Sequence, residues 1–255
     1  MTLQELNELG EEIERTLKLR THPIAVKLAQ QKADIPEDAL CPRLHNGNHL
    51  AQCQAFSLVR RQGITVAMAK EDHWCFTPLL AYGMVKKDPD DEFLQRVAAF
   101  PCLEYGKYIG IVAAPLQKAA FEPDMVLIYA EPAQIRRMLM WIKYAEPHRP
   151  VRSEFDPLGS CAFAITPVME SGEYRITFPD PGEQARASAR EDEVILTVPG
   201  GKLAAFAEAM EHVQKHEEES IWRHNLVQPD FPRPEFYTGY FEKWGLETEE
   251  NMYTT

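Results

Sequence analysis

Glycine supplies only 13 of 255 residues, and none is set in a phosphate-cradling loop: Gly200-Gly201 runs into Lys202 without the spacing such a loop needs. No serine stands in a nucleophile elbow, and Gly159-Ser160-Cys161 lacks the second glycine. Eighteen consecutive apolar residues occur nowhere; the best runs, Ile109 to Leu116 and Met125 to Ala130, are strand-length, which excludes a helical membrane span. Positive charge is in deficit, 27 Lys and Arg against 39 Asp and Glu, so a net charge of -12 repels nucleic-acid phosphates and anionic lipid heads. Neither nucleic acid nor membrane is an expected partner. Arg60-Arg61 and Arg136-Arg137 read as solvated helix faces. The five cysteines are too few and too widely spaced for a disulfide scaffold. Met1 to Leu19 also lacks the basic start, apolar run and cleavage site of a secretory signal. The expectation is a cytoplasmic protein whose cysteines are reduced thiols or metal ligands.

What the chain does have is ordinary globular composition, 45% hydrophobic and 26% charged. The reading is one α/β domain over 1–255, a mixed sheet flanked by helices, with a C-terminal arm over 216–255. Thr2 and Glu5 have capping-box spacing ahead of Leu6, Leu9, Ile13 and Leu17, which predicts an amphipathic opening helix. His22-Pro23 then breaks to a strand over Ile24 to Leu28. A helix is expected over Gln52 to Arg61 with Gly63 as its C-terminal cap, then a strand from Ile64 to Met68 and a helix from Thr77 to Met84. That puts Cys75 at a strand-to-helix corner. A linker from Lys86 to Glu92, a short helix, and strands Tyr108 to Ala114 and Met125 to Ala130 follow; the strands' near-continuous apolar character predicts burial on both faces. Pro132 opens a helix through Tyr144. Gly159 to Ala162 reads as a loop or short helix, Pro179 to Glu183 as a stiff loop, Arg190 to Glu193 as a solvated turn. Further strands fall at Tyr174 to Phe178 and Val194 to Val198, and a last amphipathic helix carries Leu203, Phe206, Met210 and Val213.

The order strand, Gln-led helix, loop and cysteine occurs twice, once over 20–115 ending at Cys75 and once over 120–215 ending at Cys161. Read as a duplication, it makes Cys75 and Cys161 counterparts that meet where the halves face each other.

Two groupings of ligand-type residues stand out. Cys41, His45, His49 and Cys53 fall at four-residue intervals, but Asn46-Gly47-Asn48 is turn chemistry that breaks a helical stripe. A folded loop with these four would suit zinc, the less favoured cofactor. Cys41, Cys53, Cys75 and Cys161 form the favoured set: all sit in loops or at element ends, and thiolates are the standard ligands of iron-sulfur clusters. A 4Fe-4S cluster held by three of them leaves one iron open as a Lewis acid, while four point to electron transfer or structure. A thiol nucleophile at Cys161 or Cys75, with His73 or His148 as base, is a further reading. Cys102 reads as a core residue.

Several segments together resemble the family called domain of unknown function 169, the archaeal conserved region family, over about 15–215. They are Thr21 to Lys27, Cys53-Gln54-Ala55 with Arg60 to Gly63, Glu71-Asp72 before Cys75, Ala114-Pro115-Leu116, Phe121 to Asp124, Pro132-Ala133-Gln134, Gly159 to Ala162, and Asp192-Glu193 ahead of Pro199. The resemblance implies a setting in anaerobic bacteria and archaea, which suits an iron-sulfur centre. It also ranks Cys53, Cys75 and Cys161, which lie in family-like motifs, ahead of Cys41. The resulting expectation is a metal or iron-sulfur protein, an oxidoreductase or lyase acting on a small molecule or with a redox partner, and able to form a homo-oligomer. Its rival is a metal-free binding module with buried structural cysteines.

Overall fold

The computed structural model describes residues 1–92, 100–217 and 235–246. The short helix expected after Glu92 and most of the arm from 216 lie outside them. Contacts divide the chain into two units, Met1–Lys215 and His216–Thr255. In the second, helix α9 (Glu235–Lys243) carries exposed Phe236, Tyr237 and Tyr240.

The first unit is a mixed α/β fold. Helix α1 (Leu3–Leu17) begins with the expected capping box: Thr2 accepts from the Glu5 N–H, and the Glu5 carboxylate accepts from the Thr2 N–H. Then come β1 (Ile24–Ala29), α2 (Pro42–Asn46), α3 (Gln52–Gln62), β2 (Val66–Ala69), α4 (Phe76–Ala81), β3 (Gly110–Pro115) and β4 (Met125–Ala130). Helix α5 (Pro132–Ala145), β5 (Arg152–Ser153), α6 (Ser160–Ser171), β6 (Arg175–Thr177), α7 (Pro181–Ala187), β7 (Val194–Pro199) and α8 (Leu203–Glu217) complete it. Asn46-Gly47 ends α2, with Gly47 left-handed at φ 68, so Cys41 to Cys53 is no continuous helix.

The strands form one seven-stranded sheet in the order β2-β3-β1-β4-β7-β6-β5, antiparallel throughout except for the parallel β5–β6 pair. Both faces are covered. Alternate residues of each central strand pack with α1, α5 and α8 on one side (Ala25, Val112, Val126, Leu196) and with α3, α4 and α6 on the other (Val26, Ile111, Leu127, Ile195). Every residue of β3, β4 and β7 is consequently buried, which accounts for runs with no polar alternation in an antiparallel sheet.

The sheet has an internal two-fold pattern. β1 pairs with β3 as β4 pairs with β7: Ile24 opposes Pro115 and Met125 opposes Pro199. At the centre β1 and β4 pair antiparallel, and β2 and β6 hold the same register on the far sides, Val66 opposite Ala113 and Arg175 opposite Thr197. The helix before β2 is α3, closed by left-handed Gly63; the helix before β6 is α6, closed by left-handed Gly172. The counterpart of α3 is therefore α6, not the Gln134-bearing α5, and the cysteine in the place of Cys53 is Cys161.

Within two charged segments read as solvated, one residue each is buried instead, while Arg61 and Arg190 to Asp192 are exposed. Arg60 and Glu193 are 1% and 3% exposed and form a two-pronged ion pair at 2.8 and 3.0 Å. The Arg60 guanidinium also lies over the Tyr129 ring, 4.1 Å from its centroid. The two partners stand 133 residues apart, and local sequence carries no sign of such a pairing.

Candidate functional site

Three of the favoured cysteines sit at helix starts on the α3, α4 and α6 side of the sheet. Cys53 is the second residue of α3, Cys161 the second residue of α6, and Cys75 the N-cap of α4. Helix α6 is longer than the loop or short helix expected from sequence. It opens at Gly159, whose φ of 92 is a backbone state that glycine adopts without strain. A side chain there would meet Phe100 and Thr77 at 3.3 to 3.4 Å, so the starts of α6 and α4 are in close approach.

The three thiols lie within electrostatic reach of one another. Burial pushes the Cys53 thiol up to about 12, and Glu183, Cys75 and Asp180 add to the rise. Cys161 is driven well above the ordinary thiol range by burial first and then by Cys75 and Cys53. Buried Tyr82, whose hydroxyl donates to the Cys161 carbonyl at 3.2 Å, is raised by burial and then by Cys161 and Cys75. Cys41 stands apart. It packs against the core on the α1, α5 and α8 side, its thiol donates to the Ala39 carbonyl at 3.8 Å, and the charge that acts on it is Asp72. Cys102 donates to the Phe100 carbonyl at 3.5 Å.

The histidines of the zinc grouping are engaged elsewhere. His45 Nδ1 accepts from the Cys41 N–H at 3.0 Å, and His49 Nε2 meets Arg43 at 2.6 Å while its ring packs on Trp74. His148 lies with Glu146, Arg149, Glu173 and Lys202 along an open surface cavity of about 490 Å³. His73 is different. It is 8% exposed, neither ring nitrogen has a partner, and burial lowers its pKa to about 4. Of the groups expected for a thiol nucleophile and its base, burial holds Cys161 protonated and disfavours charge on His73.

Sequence reasoning missed the polar frame around the thiols. Asp180, read as part of a stiff loop, is the N-cap of α7. One carboxylate oxygen accepts from the Gly159 and Ser160 N–H groups at 2.9 and 2.8 Å, and the other from the Glu183 N–H at 2.8 Å. Asp-Pro is itself a legible signal for an N-cap followed by a first-turn proline. Glu183, 1% exposed, accepts from the Ser160 and Tyr129 hydroxyls, both at 2.6 Å. Burial pushes its carboxyl up, toward the neutral form, against the pull of those hydrogen bonds and Arg60.

By topology Asp180 of α7 occupies the place that Cys75 holds at α4, each helix lying between an outer strand and its inner neighbour. Asp180 caps its helix, whereas Cys75 makes no side-chain cap. A thiol at a position that favours Ser, Thr, Asp or Asn gives up cap stability; the Cys75 sulfur instead accepts from the Thr77 hydroxyl at 4.0 Å. As placed, no three His, Cys, Asp or Glu side chains among the described residues gather closely enough to hold one metal ion. Zinc would need its thiolates within about 4 Å of one another, from bonds of about 2.3 Å.

Among the described residues, no helix is long and apolar enough to cross a membrane. The sequence is similar to an uncharacterised protein of Methanocaldococcus jannaschii, with 25% identity over 235 residues that cover 84% of this chain and 97% of that relative. No solved structure matches it. The family pattern described as DUF169, uncharacterised ArCR, matches residues 12–209, which carry the whole sheet and all three thiols, and the chain belongs to that family.

Proposed function

We propose that Cys53, Cys75 and Cys161 hold an iron-sulfur cluster, a 4Fe-4S centre in preference to zinc, and that the chain is a redox or lyase-type enzyme of oxygen-poor metabolism. The observation that carries this reading is the convergence of three thiols, distant in sequence, at three helix starts, one of them at an N-cap where a thiol does nothing for the helix. When bound, such a centre supplies electron transfer or, at an iron without a protein ligand, Lewis acidity. The chain's own residues fix the thiols: Asp180 holds the start of α6, Tyr82 holds the Cys161 carbonyl, and Glu183 ties Ser160 to the sheet through Tyr129. Exposed Trp74 and Phe76 flank Cys75 and give a small-molecule substrate or redox partner an apolar approach.

The test is an absorption spectrum with iron and sulfide analysis on protein purified without oxygen. Iron and sulfide in similar amounts, lost on Cys53→Ser, Cys75→Ser or Cys161→Ser and kept on Cys41→Ser, is the expected outcome. Unchanged iron across the first three variants sinks the reading. One observation favours the metal-free binding module as a second reading: burial keeps Cys53 and Cys161 protonated and unreactive. A colourless, iron-free and zinc-free protein would establish that alternative.

A further inference from the structure

The cluster reading leaves one coordination position without a thiol, since Cys41 packs against the opposite core. What fills that position decides between two kinds of chemistry: an open iron binds and polarises a substrate oxygen, whereas a closed centre moves electrons.

Four buried polar groups around the thiols are fully engaged, and Gln52 beside Cys53 leaves only its Oε1 unsatisfied. Asp180 spends both carboxylate oxygens on three backbone N–H groups. Glu183 spends both of its own on Ser160 and Tyr129. Arg60 is committed to Glu193, and Tyr82 to the Cys161 carbonyl. His73 alone of this set has every polar side-chain atom buried and none satisfied. A buried nitrogen without a partner is destabilising, and here both ring nitrogens stand so, on an imidazole 8% exposed.

Its position joins two of the thiol-bearing segments. His73 forms an isolated bridge with Leu50, three residues ahead of Cys53, where the Leu50 N–H donates to the Asp72 carbonyl at 2.9 Å and the Trp74 N–H to the Leu50 carbonyl at 2.8 Å. It also precedes Cys75 by two residues. Both residues have extended backbones, φ -76 and ψ 131 at His73, φ -116 and ψ 149 at Cys75, and Trp74 between them is 75% exposed. Alternate residues of an extended segment face opposite sides, so with Trp74 turned to solvent the imidazole and the Cys75 thiol face inward. A neutral imidazole is a competent ligand for iron through one ring nitrogen while the other carries the proton.

We infer that His73 is the fourth protein ligand of the centre, making it a three-cysteine, one-histidine cluster closed to substrate and therefore an electron carrier. This rests on the cluster reading above, and the experiment separates the two. The protein is purified without oxygen, assayed for iron and sulfide, reduced with dithionite and examined by pulsed electron paramagnetic resonance for imidazole nitrogen coupling, as wild type, His73→Ala and His73→Cys. Expected are nitrogen coupling in the wild type, its complete loss in both variants, and full iron content in His73→Cys, where a thiolate replaces the imidazole. Iron and sulfide present but no nitrogen coupling in the wild type overturns the inference and leaves the cluster standing with an open iron. Coupling that persists in His73→Cys assigns the nitrogen elsewhere and also overturns it. Protein free of iron overturns both.

Discussion

The buried pair of Arg60 and Glu193 provides the firmest energetic prediction, because its geometry is explicit and its magnitude follows from burial. Arg60→Met keeps the aliphatic length of the side chain but leaves the Glu193 carboxylate at 3% exposure without its two-pronged partner. Breaking a buried pair by removing one partner costs about 3–5 kcal/mol. Glu193 keeps the Arg190 N–H, which donates at 2.9 Å, and the Arg61 guanidinium at 3.7 Å, so the low end, about 3 kcal/mol, applies. In urea, with an m-value of about 2–3 kcal/mol/M for a domain this size, the midpoint falls by about 1 M. Removing both charges, in Arg60→Met with Glu193→Met, leaves no orphaned charge and recovers at least half the loss. The pH dependence has a fixed sign. Burial raises the Glu193 carboxyl, but the Arg60 hydrogen bonds, the Arg190 N–H and the nearby guanidinium charges outweigh it and hold the group below the usual range. Its contribution is therefore full above the unfolded value of about 4.3 and is lost as pH falls through the lowered native value. In Arg60→Met the unpaired carboxylate moves the other way, so the gap between wild type and variant narrows from pH 7 to pH 4. A midpoint shift equivalent to less than about 1 kcal/mol, or a gap flat with pH, refutes the reasoning.

The metal-free protein supplies a second prediction: with its thiol pushed up to about 12, Cys53 at pH 8 has roughly a thousandfold less thiolate than a free cysteine, and its iodoacetamide labelling rises about tenfold per pH unit between 8 and 10. Peptide mass mapping reads this directly, and labelling at the rate of a free thiol refutes it. At the N-cap of α4, Cys75→Asn supplies the missing side-chain cap and is expected to raise the stability of the metal-free protein by about 1 kcal/mol, and to hold no iron when purified without oxygen. Retained iron, or a lower urea midpoint than metal-free wild type, shows that Cys75 serves the fold instead.

Sequence reading went furthest where local chemistry dictates structure. The capping box at Thr2, the Gly63 cap and the helix opened by Pro132 all rest on contacts within a few residues, and all are present, with Ile135, Met138 and Ile142 buried and Leu139 half-buried. Helix α6 escaped because it is apolar on every side, with Ala162, Ala164, Ile165 and Val168 buried and Pro167 inside it, so it shows neither amphipathic period nor a clean stop. Arg60 with Glu193 and Ser160 with Glu183 escaped for another reason: each is a polar residue whose partner is supplied by a different element, 133 and 23 residues away, and composition alone makes such residues look solvated. The thiols were legible as residues at element ends. That Cys161 is the counterpart of Cys53 and not of Cys75 was not, since it depends on which helix lies before which outer strand.

That dependence explains why Cys53 and Cys161 come together. A sheet with matching registers about its β1–β4 centre brings α3 and α6 onto the same face, each leading into an outer strand through a left-handed glycine. Residues at the second position of the two helices then fall at corresponding ends of an arrangement that the backbone already imposes, and no long-range side-chain contact is needed to align them. Cys75 and Asp180 show what the two halves do with their next corresponding position. On one side a carboxylate closes three backbone donors and fixes the start of α6; on the other a thiol leaves α4 uncapped. Symmetry thus accounts for two of the thiols, and departure from symmetry for the third, with His73 on the same departing side. If the fold alone had set these positions, the α4 cap would be filled as the α7 cap is; the unfilled cap stands two residues from an unsatisfied imidazole, where a ligand would restore what both give up.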